Sequence, residues 1–129
     1  MKITIIGGGN IGGAIAGGLA ASTLMKASDL TVADPSAAAL ERIKGLNSAI
    51  RTSQDNAAAV EGADLIILAV KPWLAEEVSA TFRDKLNFDR QCLASVVAGV
   101  SFEKLKTMLD NGKDVRPALL RLIPNTAIS

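Results

Sequence analysis

Residues 2–18 read KITIIGGGNIGGAIAGG, and this stretch decides the fold. Ile3, Ile5 and Ile6 make a short β-branched run suited to a strand buried on both faces. Gly7, Gly9 and Gly12 follow in G-x-G-x-x-G spacing, and the Ala-rich segment from Ile11 to Ala21 predicts a helix. In such a turn the first glycine allows a tight exit from the strand. The second lets backbone approach a pyrophosphate, and the third lets helix pack closely on strand. The first N–H groups of the helix lack intrahelical partners and lie at the positive end of its dipole, so an anion is attracted there. The dipole contributes about 0.3–1 kcal/mol and at most ~2, so several donors must converge. A second strand, Leu30 to Ala33, ends in Asp34. That is about 20 positions beyond the last motif glycine, where an acid that binds a ribose is expected. A glycine-rich turn alone is weak evidence. Strand, glycines, helix and distant acid together predict a dinucleotide site.

The 129 residues suit one domain with a single core. Apolar residues make up 49% but aromatics only 3%, so the core must be aliphatic and alanine-packed. A net charge of +1 gives no reason to expect nucleic acid or an anionic membrane as partner. Cys92, the one cysteine, lies in an apolar run and reads as an inert core residue. The start is too short and too broken for a secretory signal or a membrane span, which leaves a cytoplasmic location as the default. With no histidine and no tyrosine, this chain cannot supply an imidazole or a phenol as acid or base. No metal site built on histidine or paired cysteines is expected.

Beyond the first helix, the spacing predicts a helix over Ala37 to Lys44, capped by Ser36 and closed by Gly45. A short strand at Ala49 to Arg51 comes next, then a small helix starting at Asp55 or Asn56 and closing at Gly62. The run LIILAV predicts a central parallel strand that stops at Lys71-Pro72. Trp73 to Leu86 reads as a helix, CLASVVA as a strand running into Gly99, and Phe102 to Leu109 as a helix. A last strand is expected from Ala118 to Ile123, stopping at Pro124-Asn125-Thr126. Alternating strands and helices predict an α/β fold, a doubly wound parallel sheet of Rossmann type with helices on both faces. Ligands of such sheets bind at the carboxyl ends of the strands. Asn10, Asp34-Pro35-Ser36, Val70-Lys71-Pro72, Ala98-Gly99 and Pro124-Asn125-Thr126 all fall at such ends.

These clusters resemble the amino-terminal half of the pyrroline-5-carboxylate reductase family. The resemblance rests on IGGGNIGGAIAGGL, ILAVKP, SVVAGVSFEKL and RLIPNT, in that order over nearly the whole chain. It implies a dinucleotide-binding domain over residues 1–129. The family's carboxy-terminal helical domain, which dimerises and completes the substrate pocket, is absent from these residues. The chain alone is then expected to be inactive, and a full-length form to be a homo-oligomer. The implied reaction is hydride transfer from NAD(P)H to a small-molecule substrate, the cyclic imine 1-pyrroline-5-carboxylate, giving proline. An iminium is already protonated and electrophilic, which suits a chain without histidine or tyrosine.

Carried onto this sequence, the resemblance implies that Gly7, Gly8, Gly9, Asn10 and Ile11 wrap the pyrophosphate, beside the motif's Gly12. Asn56 would reach the adenosine side, and Ala69, Val70, Lys71 and Pro72 would line the ribose and nicotinamide. Ala98 and Gly99 would lie against the nicotinamide ring, with Asn125 near the reacting end. No catalytic residue is assigned. Asp34 departs from relatives that use the 2′-phosphorylated cofactor, which tend to have a hydroxyl or small residue there. Two unit charges ~5 Å apart repel by about 3 kcal/mol at an effective dielectric near 20, so a preference for NADH over NADPH is expected.

Several residues keep a plainer reading. Asn10 and Asn56 could be helix caps, and Asn125 and Thr126 ordinary turn residues. Lys71 could be a solvated strand-end charge, and Trp73 could cover the cofactor or pack on a second domain. A non-catalytic NAD-binding or sensing module is the other class of function these residues fit. Within the enzymes, another imine or hydroxy-acid reductase, or a deazaflavin-linked NADP reductase, is the rival.

Overall fold

β1 (Ile3–Ile6) is buried along its whole length at the middle of a six-stranded sheet. The computed structural model describes residues 1–112 and 119–122. The other strands are β2 (Leu30–Ala33), β3 (Arg51–Ser53), β4 (Leu65–Leu68), β5 (Cys92–Ser95) and β6 (Leu119–Arg121). Their order across the sheet is β3-β2-β1-β4-β5-β6, with every pair parallel. The helices are α1 (Asn10–Ala21), α2 (Ala37–Leu46), α3 (Asn56–Val60), α4 (Ala75–Ala80) and α5 (Phe102–Met108). This is the expected doubly wound sheet. The order reverses at β1, whose neighbours are β2 and β4, and the carboxyl ends of these three strands frame a crevice.

Side-chain alternation divides the core into two layers. Ile3, Ile5, Leu30, Val32 and Ile67 pack against α1 and α2 through Ala16, Leu40 and Ile43. Ile6, Ala33, Ile66, Leu68 and Leu93 face the other way, onto Val60, Ala75, Phe82, Leu105 and Met108 from α3, α4, α5 and the segment after α4. Thr4 is the polar exception inside β1. Its buried hydroxyl donates to the Ala59 carbonyl at 2.7 Å, so no unmet polar group remains there.

Several boundaries differ from the sequence reading. Helix α2 runs through Gly45 to Leu46 and is capped at Asn47, whose N–H reaches the Ile43 carbonyl. Gly45 has no positive φ, so it does not end the helix. Strand β3 starts at Arg51, because the N–H of buried Ile50 is turned back onto the Asn47 carbonyl at 3.1 Å. The single helix expected over Trp73 to Leu86 is broken. A 3₁₀ turn, Pro72–Leu74, precedes α4, and another, Arg83–Lys85, follows it. Thr81 and Phe82 donate to the carbonyls of Val78 and Ser79, three residues back, which tightens the chain as the Phe82 ring enters the core. In the last strand, residues 118 and 123 lie outside the described residues, as does the turn at 124–126.

Cys92 is exposed, contrary to its expected place in the core. It opens β5 on the same face as Ala94, whose partner across the ladder, Leu120, is also exposed. The exposure is confined to this first position of the strand, since Leu93, Ala94 and Ser95 after it are all buried. Among the described residues no helix is long and apolar enough to cross a membrane.

Candidate dinucleotide site

Gly7 turns the chain sharply at the end of β1. Its φ is +111°, and a Cβ there would come within 2.5 Å of the Ala69 carbonyl oxygen, so a side chain is excluded on both counts. Its N–H donates to the Ala33 carbonyl at 2.8 Å, which ties the loop to β2. A Cβ on Gly12 would run into the Gly7 carbonyl oxygen, so α1 lies directly on the turn it follows. Gly9 is different. Nothing lies within 4 Å of where its Cβ would be, so the backbone is bare to the space in front of it.

That space is the entrance to α1. Gly9 is the N-cap residue, with no side-chain cap and no acid in the first turn. The plainer reading of Asn10 as the cap is thereby excluded. The first intrahelical bond there runs from the Gly13 N–H to the Gly9 carbonyl at 2.7 Å, so the amides before it have no acceptor within the helix. By contrast, α2, α3 and α5 are capped by Ser36, Asp55 and Ser101, which accept from the amides of Ala39, Ala58 and Lys104. Helix α4 also lacks a side-chain cap but continues directly from the turn Pro72–Leu74, whereas α1 starts open toward the crevice.

A cleft of about 200 Å³ opens in front of these donors. Its walls include Gly7, Gly9, Asn10 and Ile11 from the loop, Asp34 from the end of β2, Asn56 from α3, and Ala69, Val70 and Lys71 from the end of β4. Nine residues singled out from the sequence therefore share one cavity. Pro35, placed by the sequence in the strand-end cluster but given no contact, lines it as well; Ala33, Leu74 and Val78 also line it and were missed. The last two stand four residues apart, a helical spacing that could have signalled a common face. Gly12 contributes packing, and Pro72 starts the 3₁₀ turn without lining the cleft. Ala98 and Gly99 are exposed after β5 and likewise lie outside the cleft wall. Asn125 lies outside the described residues.

Asp34 is held by two backbone amides. Its Oδ2 accepts from Gly8 and its Oδ1 from Ser36, both at 2.8 Å. The turn is braced further by Gln54, whose side-chain amide donates to the Pro35 carbonyl at 2.8 Å. The carboxylate thus links the glycine loop to the start of α2 in one fixed orientation.

Asn56 is not the cap of α3, since Asp55 holds that position. Its Nδ2 donates to the Thr81 hydroxyl oxygen at 3.0 Å. The Thr81 hydroxyl gives its single hydrogen to the Val78 carbonyl at 2.6 Å, so toward Asn56 it can only accept. This fixes the amide's orientation and leaves Asn56 Oδ1 buried without a partner among the described residues. An unmet buried acceptor costs about 1–3 kcal/mol, which a ligand's hydroxyl or amine would recover.

Two larger hollows, of about 330 and 280 Å³, lie at the amino ends of the strands around Asp64 and Thr4. Helices in βαβ units run antiparallel to their strands, so no helix N-terminus points there, and ligands of open parallel sheets bind at the opposite end. Among the described residues no group of three or more potential metal ligands occurs.

Residues 2–99 match the family model described as NADP oxidoreductase coenzyme F420-dependent. The chain belongs to that family. Over 127 residues it is 35% identical to a pyrroline-5-carboxylate reductase of Pasteurella multocida, an alignment covering 97% of this chain and 44% of that protein. Its fold matches a pyrroline-5-carboxylate reductase from Coxiella burnetii with a TM-score of 0.83 and 29% identity, over 97% of this chain and 44% of the other. It also matches the Plasmodium falciparum pyrroline carboxylate reductase solved with NADP bound, with a TM-score of 0.78 and 25% identity, over 98% and 43%. The chain thus spans less than half the length of these relatives, and the resemblance read from its motifs holds along almost all of it.

Proposed function

We propose that residues 1–129 are the dinucleotide-binding domain of an NAD(P)H-dependent reductase of the pyrroline-5-carboxylate reductase type. The observation that carries this reading is the uncapped start of α1, which opens with the bare Gly9 backbone onto the cleft that Asp34, Asn56 and Lys71 also line. In this assignment the Gly7–Ile11 loop wraps the pyrophosphate through the amides of Gly9, Asn10 and Ile11, since those of Gly7 and Gly8 are given to the Ala33 carbonyl and to Asp34. Asp34 accepts from the adenosine ribose, and Asn56 Oδ1 takes a donor from the adenosine side. Ala69, Val70, Lys71 and Pro72 position the second ribose and the nicotinamide, and Ala98, Gly99 and Asn125 approach the reacting end.

When bound, the reduced nicotinamide supplies the hydride delivered to the imine carbon of 1-pyrroline-5-carboxylate, giving proline. The chain's own residues bind and orient, and they exclude solvent along the β4 end of the cleft. The protonated imine nitrogen needs no further acid from this domain. In this reading the remaining pocket walls and the contacts of a homo-oligomer are made by residues other than these 129. A cytoplasmic location goes with this reading.

NADH is the preferred cofactor in this assignment. A 2′-phosphate would meet the Asp34 carboxylate, and Pro35 beside it has no amide hydrogen to offer. Ser36, the next residue, already gives its amide to Asp34. The same turn makes an F420-linked NADP reaction the weaker reading. The test is spectrophotometric. Residues 1–129 alone should leave NADH unoxidised in the presence of 1-pyrroline-5-carboxylate. Joined to the carboxy-terminal portion of the Pasteurella multocida relative, they should oxidise it. Turnover by residues 1–129 alone, or none by the joined form, would count against the assignment.

A further inference from the structure

The loop after β5 carries an exposed tip between two buried anchors. Val97 and Val100 are buried, while Ala98 and Gly99 are exposed, and Gly99 has a φ of +72°. Each end of the tip is fastened by a side chain. Ser95 Oγ accepts from the Val97 amide at 3.2 Å. Arg121, beside Ser95 in the parallel register, donates from Nε to the Val100 carbonyl at 2.6 Å. The Leu122 amide donates to the Ser95 carbonyl at 2.7 Å, which keeps the β6 end beside this loop. A short bond from a guanidinium to a partly buried carbonyl is charge-assisted and stronger than an ordinary amide contact.

We propose that Arg121 is a positioning residue for the nicotinamide end of the site, acting through the Val100 carbonyl on the Ala98–Gly99 tip. This rests on the reading above that the tip faces the nicotinamide. Arg121 lies on β6, three strands across the sheet from β1 and four from β2, after which the glycine loop and Asp34 stand, so its loss should disturb one end of the cofactor and spare the other.

Two substitutions separate this role from general stability. In Arg121→Gln the amide nitrogen stands at the same chain position as Nε and remains a donor, whereas Arg121→Met has similar length and no donor. Binding is measured for NADH and for ADP-ribose, which carries the diphosphate and both riboses but no nicotinamide. For Arg121→Met, the NADH dissociation constant should rise about 5- to 10-fold and ADP-ribose should bind as before. Fluorescence of the bound dihydronicotinamide should fall as well, and Arg121→Gln should restore both values. Equal weakening of the two ligands, or unchanged NADH binding, would overturn the proposal. Should Arg121→Met fail to fold, Arg121→Gln carries the test alone: an NADH-to-ADP-ribose ratio unlike that of the unsubstituted chain contradicts it. Failure of the unsubstituted chain to bind either ligand would instead sink the underlying reading, and the proposal with it.

Discussion

The Asp34 carboxylate and the Gly8 amide are joined by a 2.8 Å hydrogen bond across the glycine loop. One residue thereby sets the loop's position and presents charge where the adenosine ribose is placed. The two roles are separable by substitution. Asp34→Asn keeps an acceptor for one amide but removes the charge, so NADPH affinity should rise about tenfold after discounting for solvent screening. NADH affinity should fall, because a charge-assisted bond becomes a neutral one. Competition titrations with both cofactors check this, and an unchanged ratio would remove Asp34 from the selection.

The glycines of α1 are not equivalent. Gly12→Ala drives a methyl into the Gly7 carbonyl, while the space beside Gly18 is open. Gly12→Ala should destabilise the fold by about 1–3 kcal/mol or more. Gly18→Ala should stabilise it by about 0.5–1 kcal/mol through helix propensity. Thermal melts of the two variants should therefore move in opposite directions.

Asn56→Ala removes an acceptor that has no partner among the described residues, at the expense of one bond to Thr81. Stability without ligand should change by less than about 1 kcal/mol, since a lost bond and a lost penalty offset each other. Dinucleotide affinity should fall about fivefold or more if Oδ1 takes a donor from the ligand. Melting curves with and without NADH distinguish these effects. A variant that melts lower but binds normally would make Asn56 purely structural.

Cys92 opens β5 at the amino end of the sheet, opposite the cleft, and it is exposed. A thiol reagent should therefore modify the native chain without denaturant, and saturating NADH should not slow the reaction. Modification that requires unfolding would contradict the exposed placement.

What the sequence revealed about the fold came from residues whose local chemistry admits few alternatives. The isoleucines of β1, the close approach of Gly12 to Gly7, and the Ser36 cap act over a few positions, and all are present in the structure. Cys92 was misread because hydrophobicity reports what tolerates burial, whereas this residue holds the exposed first position of a strand whose other three residues are buried. The break between α4 and the turn at Arg83 was hidden for a related reason: the three-residue bonds at Thr81 and Phe82 follow from where the core admits the Phe82 ring. At the cleft, Gly7, Asp34 and Lys71 stand at strand ends that parallel topology brings together. Leu74 and Val78 enter through the packing of the 3₁₀ turn and α4, which no motif records. Nothing in the spacing shows that Asp34 is already held by two amides, nor that Thr81 orients Asn56.

Calorimetric titration of the 129-residue chain with NADH, repeated with NADPH, tests the account most directly. Saturable binding of one NADH per chain, about tenfold or more tighter than NADPH, is the predicted result. Absence of any heat with either dinucleotide, together with an unchanged melting temperature, would contradict the assignment of the α1 cleft as a cofactor site.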